Sequence, residues 1–200
     1  MRYLFSIISI FSLTYSIAQN DSIIKQFDSR ANNLNRKGMI VLASWAGANI
    51  AGSAAGYALT TSEEEKNFYI MNASWGAINL GLSLPSLLSK TKTTSTLYDL
   101  QKKQTSFEKI FLANAMLDIA YITGGFYLKE YASHQTDKKS QERFNGFGNS
   151  IVIQGAGLMV FDLAMTLLNN RNRKKHLDPF LKKTSISFSG NYVKLGYQFN

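Results

Sequence analysis

Apolar and polar residues fall along this chain in blocks. Four long apolar segments, Gly38 to Thr61, Asn67 to Ser89, Ile110 to Leu128 and Phe144 to Asn170, contain only two charged residues, Asp118 and Asp162. Each segment is about as long as the roughly 20 residues a helix needs to cross a bilayer. A water-soluble four-helix bundle would carry charges on the outer face of every helix, at the positions its apolar stripe skips. No face of these segments is charged, so their outside must meet something apolar, and lipid is the natural candidate. The many Gly, Ser and Asn residues keep the hydropathy moderate. The pattern predicts an all-α fold, a four-helix transmembrane bundle over residues 38–170.

The flanks read differently. Residues 1–18 have Arg2 at the start, an apolar core from Tyr3 to Leu13, and then Ser16-Ile17-Ala18. Small residues stand where a signal peptidase reads, so the segment is expected to be a cleaved signal peptide with the mature chain starting at Gln19. An uncleaved anchor is the other reading, but the apolar run is short for a span. Residues 19–37 are polar with Ile23, Ile24, Phe27, Ala31 and Leu34 at three- and four-residue steps. That spacing predicts a short amphipathic helical arm, capped by Asp21, packed on the bundle or along the membrane surface. Residues 171–200 begin as a basic linker and end as a β-hairpin tail. Ile186 and Phe188 alternate with Ser, Gly190-Asn191 supplies a turn, and Val193, Leu195, Tyr197 and Phe199 alternate with small or polar residues. A lone hairpin is marginal in water and needs a surface to lean on.

Charge sits in the connectors. Thr61 to Lys66 is short and carries Glu63, Glu64 and Glu65, which forces the first two segments into an antiparallel pair. Lys90 to Lys109 is long and basic, Lys129 to Arg143 is mixed, and Arg171, Arg173, Lys174 and Lys175 follow the fourth segment as an anchor for anionic lipid. Most Lys and Arg fall on the side shared by the arm, the second connector and the tail, which by loop charge alone places that side in the cytoplasm. A cleaved signal peptide places it outside. The two inferences conflict, and the signal peptide carries the greater weight because loop charge is a bias and not a law.

Within the apolar segments the polar residues are the only candidates for chemistry. Ala43-Ser44-Trp45-Ala46-Gly47-Ala48-Asn49-Ile50 is nearly repeated as Ala73-Ser74-Trp75-Gly76-Ala77-Ile78-Asn79-Leu80, and Met116-Leu117-Asp118-Ile119-Ala120 is echoed by Val160-Phe161-Asp162-Leu163-Ala164. Asn49 lies one turn after Trp45, with Gly52 and Gly56 continuing the stripe at small-xxx-small spacing. Asn72 and Asn79, Asn114 and Asp118, and Gln154 and Asp162 each share one helix face. A lipid-facing Asn or Asp costs on the order of a few kcal/mol, so these seven residues should turn inward and meet as one polar network. Two readings follow. One is polar glue that fixes helix register, the common use of such contacts. The other is a site for a proton or small cation, because two ionised Asp in one low-dielectric interior would repel. Repeats on antiparallel helices also suggest an inverted-repeat arrangement, although four helices are few for a transporter.

Composition removes alternatives. Formal net charge is +9 with only 18% charged residues, and the basic residues lie in connectors, not interleaved with aromatics on one face, so no nucleic acid partner is expected. No Cys exists, which excludes disulfides, thiolate metal sites, a cysteine nucleophile and an N-terminal lipidated Cys. His134 and His176 stand in polar stretches, and no Ser-His-Asp set, paired Glu or metal cluster is visible, so neither catalytic residues, cofactor nor metal are expected. Gly146-Phe147-Gly148 lacks the strand before it and the Lys-Ser/Thr after it that a phosphate loop needs, and Asn72-Ala73-Ser74 lies within an apolar segment and not in the surface loop a glycosylated Asn requires.

With these residues in view, the chain resembles an uncharacterised Bacteroidota membrane-protein family, a domain of unknown function. The likeness rests on Ser44 to Ala51, Tyr69 to Trp75 through Gly81, Asn114 to Tyr121 with Gly124-Gly125 and Tyr127-Leu128, and Phe144 to Gly148 through Gln154-Gly155 and Phe161-Asp162. It implies a signal peptide, several apolar helices and a short β-like tail, and it implies no activity. The expectation is a non-enzymatic membrane protein of the cell envelope, most naturally in the inner membrane after Sec-type export, with lipid and other envelope proteins or a second copy as partners. The alternative is a small transporter, channel subunit or ion- or proton-binding module using Asp118 and Asp162. A lipid-acting enzyme using either Asp as general acid or base is a third reading.

Overall fold

The computed structural model describes residues 22–90, 93–94 and 96–182 with their side chains, and the backbone alone of 2–21, 183–189 and 192–197. Among the described residues five helices lead into two strands: α1 (Arg2–Leu59), α2 (Glu63–Leu88), α3 (Leu97–Ser133), α4 (Lys138–His176), α5 (Asp178–Lys183), β1 (Thr184–Ser189) and β2 (Tyr192–Tyr197). The strands pair antiparallel from Thr184 opposite Tyr197 to Ser189 opposite Tyr192. The expected Gly190-Asn191 turn and the alternation of side chains in this tail lie outside the described residues, as do the side chains of the expected signal peptide.

Helix ends follow local chemistry. The Ser62 hydroxyl accepts from the Glu65 amide at 3.4 Å, and Glu63, Glu64 and Glu65 place negative charge where the first turn of α2 leaves its amides unpaired. Thr96 caps α3 by accepting from the Asp99 amide at 3.1 Å, and Asp137 caps α4 by accepting from the Ser140 amide at 2.9 Å. Arg173, Lys174 and Lys175 stand in the last turn of α4, where cations offset its free carbonyls.

Three boundaries differ from the sequence expectation. The arm and the first apolar segment are one helix, because neither Pro nor Gly lies between Asp21 and Gly38 and Lys25, Arg30, Arg36 and Lys37 are good helix formers. Asp21 accordingly falls inside α1, not at a helix start. The basic connector before the third segment is helical from Leu97, and the linker after the fourth continues α4 to His176. Charge marked these stretches as outside the apolar blocks, but charge does not end a helix.

The chain divides into two compact units. The first comprises 1–34, 91–107 and 168–200, and the second 35–90 and 108–167. In the first, Ile24, Phe27, Ala31, Leu100 and Leu177 form a buried apolar cluster with Leu97 and Leu181 packed against it. Inside it the Asp28 carboxylate meets Lys103 Nζ at 2.8 Å, the Thr94 amide at 3.1 Å and Asn32 Nδ2 at 3.1 Å, so the buried charge is paired.

In the second unit, α1 to α4 pack as an up-down bundle. Contacts at glycine set the helix directions. A Cβ at Gly76 would lie 3.0 Å from the Ala46 carbonyl, and one at Gly56 would strike the Tyr69 ring, so α1 and α2 run antiparallel. A Cβ at Gly155 would lie 3.1 Å from the Asp118 carbonyl and one at Gly148 2.7 Å from that of Gly125, so α3 and α4 also run antiparallel. Gly157 against Trp45 and Gly38 against Met165 set α1 antiparallel to α4, while Gly146 against Glu64 and Phe68 seats α4 on α2. These near-backbone approaches are the small-residue packing of membrane bundles. Gly52 has open space beside it, so only Gly56 of the expected α1 pair makes a contact.

Among the described residues, three helices are long and apolar enough to cross a membrane: those over Ser22–Leu59, Leu97–Ser133 and Lys138–Lys182. The expected fourth, α2, has the length but is diluted by Asn67, Asn72, Asn79, its serines and Pro85.

Candidate functional site

The polar interior of the second unit is the candidate site, and it is two layers, not the single network expected. The upper layer joins Trp45 and Asn49 of α1, Asn72 of α2 and Gln154 of α4. Asn49 Oδ1 accepts from Asn72 Nδ2 at 2.8 Å and from Gln154 Nε2 at 2.7 Å. Asn72 Nδ2 donates also to Ser53 Oγ at 2.9 Å, and Gln154 Nε2 donates also to Asn72 Oδ1. Trp45 Nε1 donates to Gln154 Oε1 at 3.0 Å, and Asn49 Nδ2 donates to the Trp45 carbonyl at 2.7 Å. Both amide hydrogens of Asn72 and of Gln154 are used, so the layer is closed on itself.

The lower layer is open. The Asp118 and Asp162 carboxyls of α3 and α4 lie within interaction reach of one another, and the Asn114 amide is within reach of Asp162. Asp118 Oδ2 and Asp162 Oδ1 are buried without a hydrogen-bond partner. Asn114 itself sits on the exposed side of α3.

Asn79 belongs to this lower layer by register. Asn72 and Gln154 are hydrogen-bonded on helices that run in the same direction; Asn79 is two turns beyond Asn72 and Asp162 two turns beyond Gln154, about 11 Å along each axis. The Trp75–Tyr121 edge contact, with ring centroids 4.9 Å apart, gives the same depth from α3, since Asn79 lies one turn after Trp75 and Asp118 one turn before Tyr121 on antiparallel helices. Asn79 is 2% exposed and its Nδ2 has no partner.

Of the seven expected residues, the structure brings Asn49, Asn72 and Gln154 together in one layer and Asp118, Asp162 and Asn79 into the other, with Asn114 at its edge. Sequence reading missed Trp45 and Ser53 as members of the upper layer. The signal was present for Ser53, one turn after Asn49 on the same face, but a tryptophan reads as an interface or packing residue until its N–H is seen to need a partner. The repeat explains the split: on antiparallel helices, copies of Trp-x-x-x-Asn meeting near Gly76 send Asn49 one way and Asn79 the other.

Among the described residues there is no group of three or more His, Cys, Asp or Glu that could hold a metal ion. The lower layer offers only carboxyl and amide groups, a donor set for protons and hard cations.

A family model described as a family of unknown function, DUF6992, matches residues 41–163 of the chain, a span that includes every residue of both layers. No curated protein and no solved structure matches the chain.

Proposed function

The chain belongs to DUF6992, and we propose that it is a non-enzymatic integral membrane protein of the cell envelope, a structural or assembly component with the bundle of its second unit in the bilayer. One observation carries the reading: this unit buries Asn72, Asn79, Asp118, Gln154 and Asp162 and turns large apolar side chains outward, with Val160 67%, Leu82 65% and Met116 67% exposed. Water would favour the reverse arrangement, and lipid favours this one. Packing takes α2 across with its neighbours, since it lies along α1 from Gly56 to Ala46 and along α4 from Gly146 to Gln154. Four crossings then place Thr60–Ser62 and His134–Asp137 on one side of the membrane. On the reading that residues 1–18 are an export signal, the membrane is the inner one and that side is cytoplasmic.

The test uses the absence of cysteine. Ser62→Cys or Thr93→Cys is introduced singly, and intact cells are treated with a maleimide that does not cross the inner membrane. Labelling at Thr93→Cys alone is the expected result. Labelling at Ser62→Cys alone reverses the orientation in favour of the loop charges, and labelling at both positions, or release of the protein by carbonate washing, removes the bilayer reading. The open lower layer favours one second reading, an ion- or proton-binding module at Asp118 and Asp162, developed next.

A further inference from the structure

The two layers differ in what they lack. In the upper one every amide hydrogen of Asn72 and Gln154 has an acceptor, so nothing is missing. In the lower one two buried carboxyl oxygens and one buried amide nitrogen, on three different helices at one depth, have no partner. A buried unpaired polar group costs about 1–3 kcal/mol, more when charged, and three of them in one layer are unsatisfied together. Asn79 is the independent witness here: it is not acidic, it is 2% exposed, and its buried Nδ2 has no partner at the depth of the two carboxyls.

We propose that Asp118 and Asp162, with Asn79 and Asn114 beside them, form a buried site that exchanges a proton for a small hard monovalent cation, with sodium as the model ligand. Two carboxyl groups in contact can both be ionised only if a cation lies between them; otherwise they share a proton. Exchange is balanced one for one: the proton bridging the pair leaves as the cation enters, and the charge of the interior is unchanged. The ligands are oxygens, as a hard cation requires, and the absence of a third acidic ligand among the described residues disfavours a divalent one. Asp118 and Asp162 are the bundle's only buried carboxyl groups among the described residues, and at this depth α1 presents Leu42 and Ala46 while α2 presents Asn79 and Ser83.

The proposal rests on the bundle reading above, and its test separates the two. The purified full chain in detergent is unfolded thermally, followed by tryptophan fluorescence, in sodium chloride or in choline chloride at equal ionic strength, at mildly acidic and mildly alkaline pH. Sodium should raise Tm over choline, and more so at alkaline pH where fewer protons compete. Asp118→Asn and Asp162→Asn should each abolish that sodium-dependent shift, whatever they do to Tm itself. Infrared difference spectra of the unmodified chain should show a protonated-carboxyl band lost when sodium replaces choline, which keeps the proposal testable if the variants do not fold. Equal Tm in the two salts with no infrared change, a sodium shift that survives in both variants, or a response to calcium alone overturns it. A chain that needs detergent for extraction but ignores sodium keeps the bilayer reading and loses this one.

Discussion

The two units of this protein share α1, α3 and α4 and differ in what they expose and in how far their interiors are polar. In the first, Phe27, Leu100 and Leu177 are buried while Lys25 and Arg30 are exposed; the one buried carboxylate among the described residues, Asp28, is paired with Lys103. In the second, Asn72, Asn79, Asp118, Gln154 and Asp162 are buried beside Leu42, Phe111, Leu158 and Met165, and the outside is largely Ile, Leu, Val and aromatic side chains. All the large exposed apolar side chains among the described residues except Tyr98 and Leu168 belong to the second unit. On the bilayer reading, α1, α3 and α4 change solvent along their length. In the first unit the hydrophobic effect drives burial; in the second, satisfaction of polar groups and close packing do so.

The largest effect that would break this comparison lies in the water-facing core. Phe27 is 2% exposed among Ile24, Ala31 and Leu100, and Phe27→Ala should cost about 3–5 kcal/mol of local stability. Limited proteolysis of the first unit should report it, while the requirement for detergent stays unchanged. Equally large loss of membrane association would mean that the two units do not hold their folds separately.

Next in size is a charge on the outside. Val160 is 67% exposed near the middle of the fourth apolar segment, and Val160→Lys should cost about 3 kcal/mol if that face meets lipid. Tyr98 is 72% exposed in the first unit, and Tyr98→Lys should change stability by no more than about 0.5 kcal/mol. Yield of membrane-inserted protein measures both, and equal tolerance at the two positions would mean that Val160 faces water.

How far each unit was legible follows from these solvents. The apolar blocks gave the second unit's helices and its inward polar stripes, because a charge-free helix has little else it can do with Asn, Gln and Asp. The stripe Ile23, Ile24, Phe27, Ala31 and Leu34 was visible, but not what it packs against: Leu100 and Leu177 lie in stretches that charge had marked as connector and linker. Periodicity gives a face, and long-range partners are not encoded locally. The division of the polar interior into two layers was also invisible, since it depends on the offset between α2 and α4. The shape of the glycine contacts fixes that offset, and no single helix records it.

The layers themselves can be compared by smaller substitutions. Gln154→Ala strands Trp45 Nε1 and Asn72 Oδ1 and removes one of the two donors to Asn49 Oδ1, at a cost of about 1–3 kcal/mol in thermal unfolding. Asn79→Leu removes an amide whose Nδ2 already lacks a partner, so its cost should stay under about 1 kcal/mol. If Asn79→Leu is as damaging as Gln154→Ala, the lower layer is as fully bonded as the upper one and the contrast between them fails.

The smallest effects test where the two units should agree. Ser62 caps α2 of the second unit and Thr96 caps α3 of the first, each accepting from an amide three residues on. Both helix starts are wet, so Ser62→Ala and Thr96→Ala should each cost about 1 kcal/mol in denaturant unfolding, with no difference between units. Asp137 at the start of α4 adds a pH dependence, because hydrogen bonds from the Ser140 hydroxyl and amide hold its carboxyl below the usual aspartate value. A carboxyl held low in the folded state contributes stability that is complete above its unfolded value and lost as pH falls through the folded one. The pH profile of Asp137→Asn should therefore converge on that of the unmodified chain at acid pH and depart from it at neutral pH. A much larger cost at Ser62 than at Thr96 would place the α2 start below the membrane surface, where an unpaired amide has no water to turn to, and would move the boundary between the two solvents into the loop.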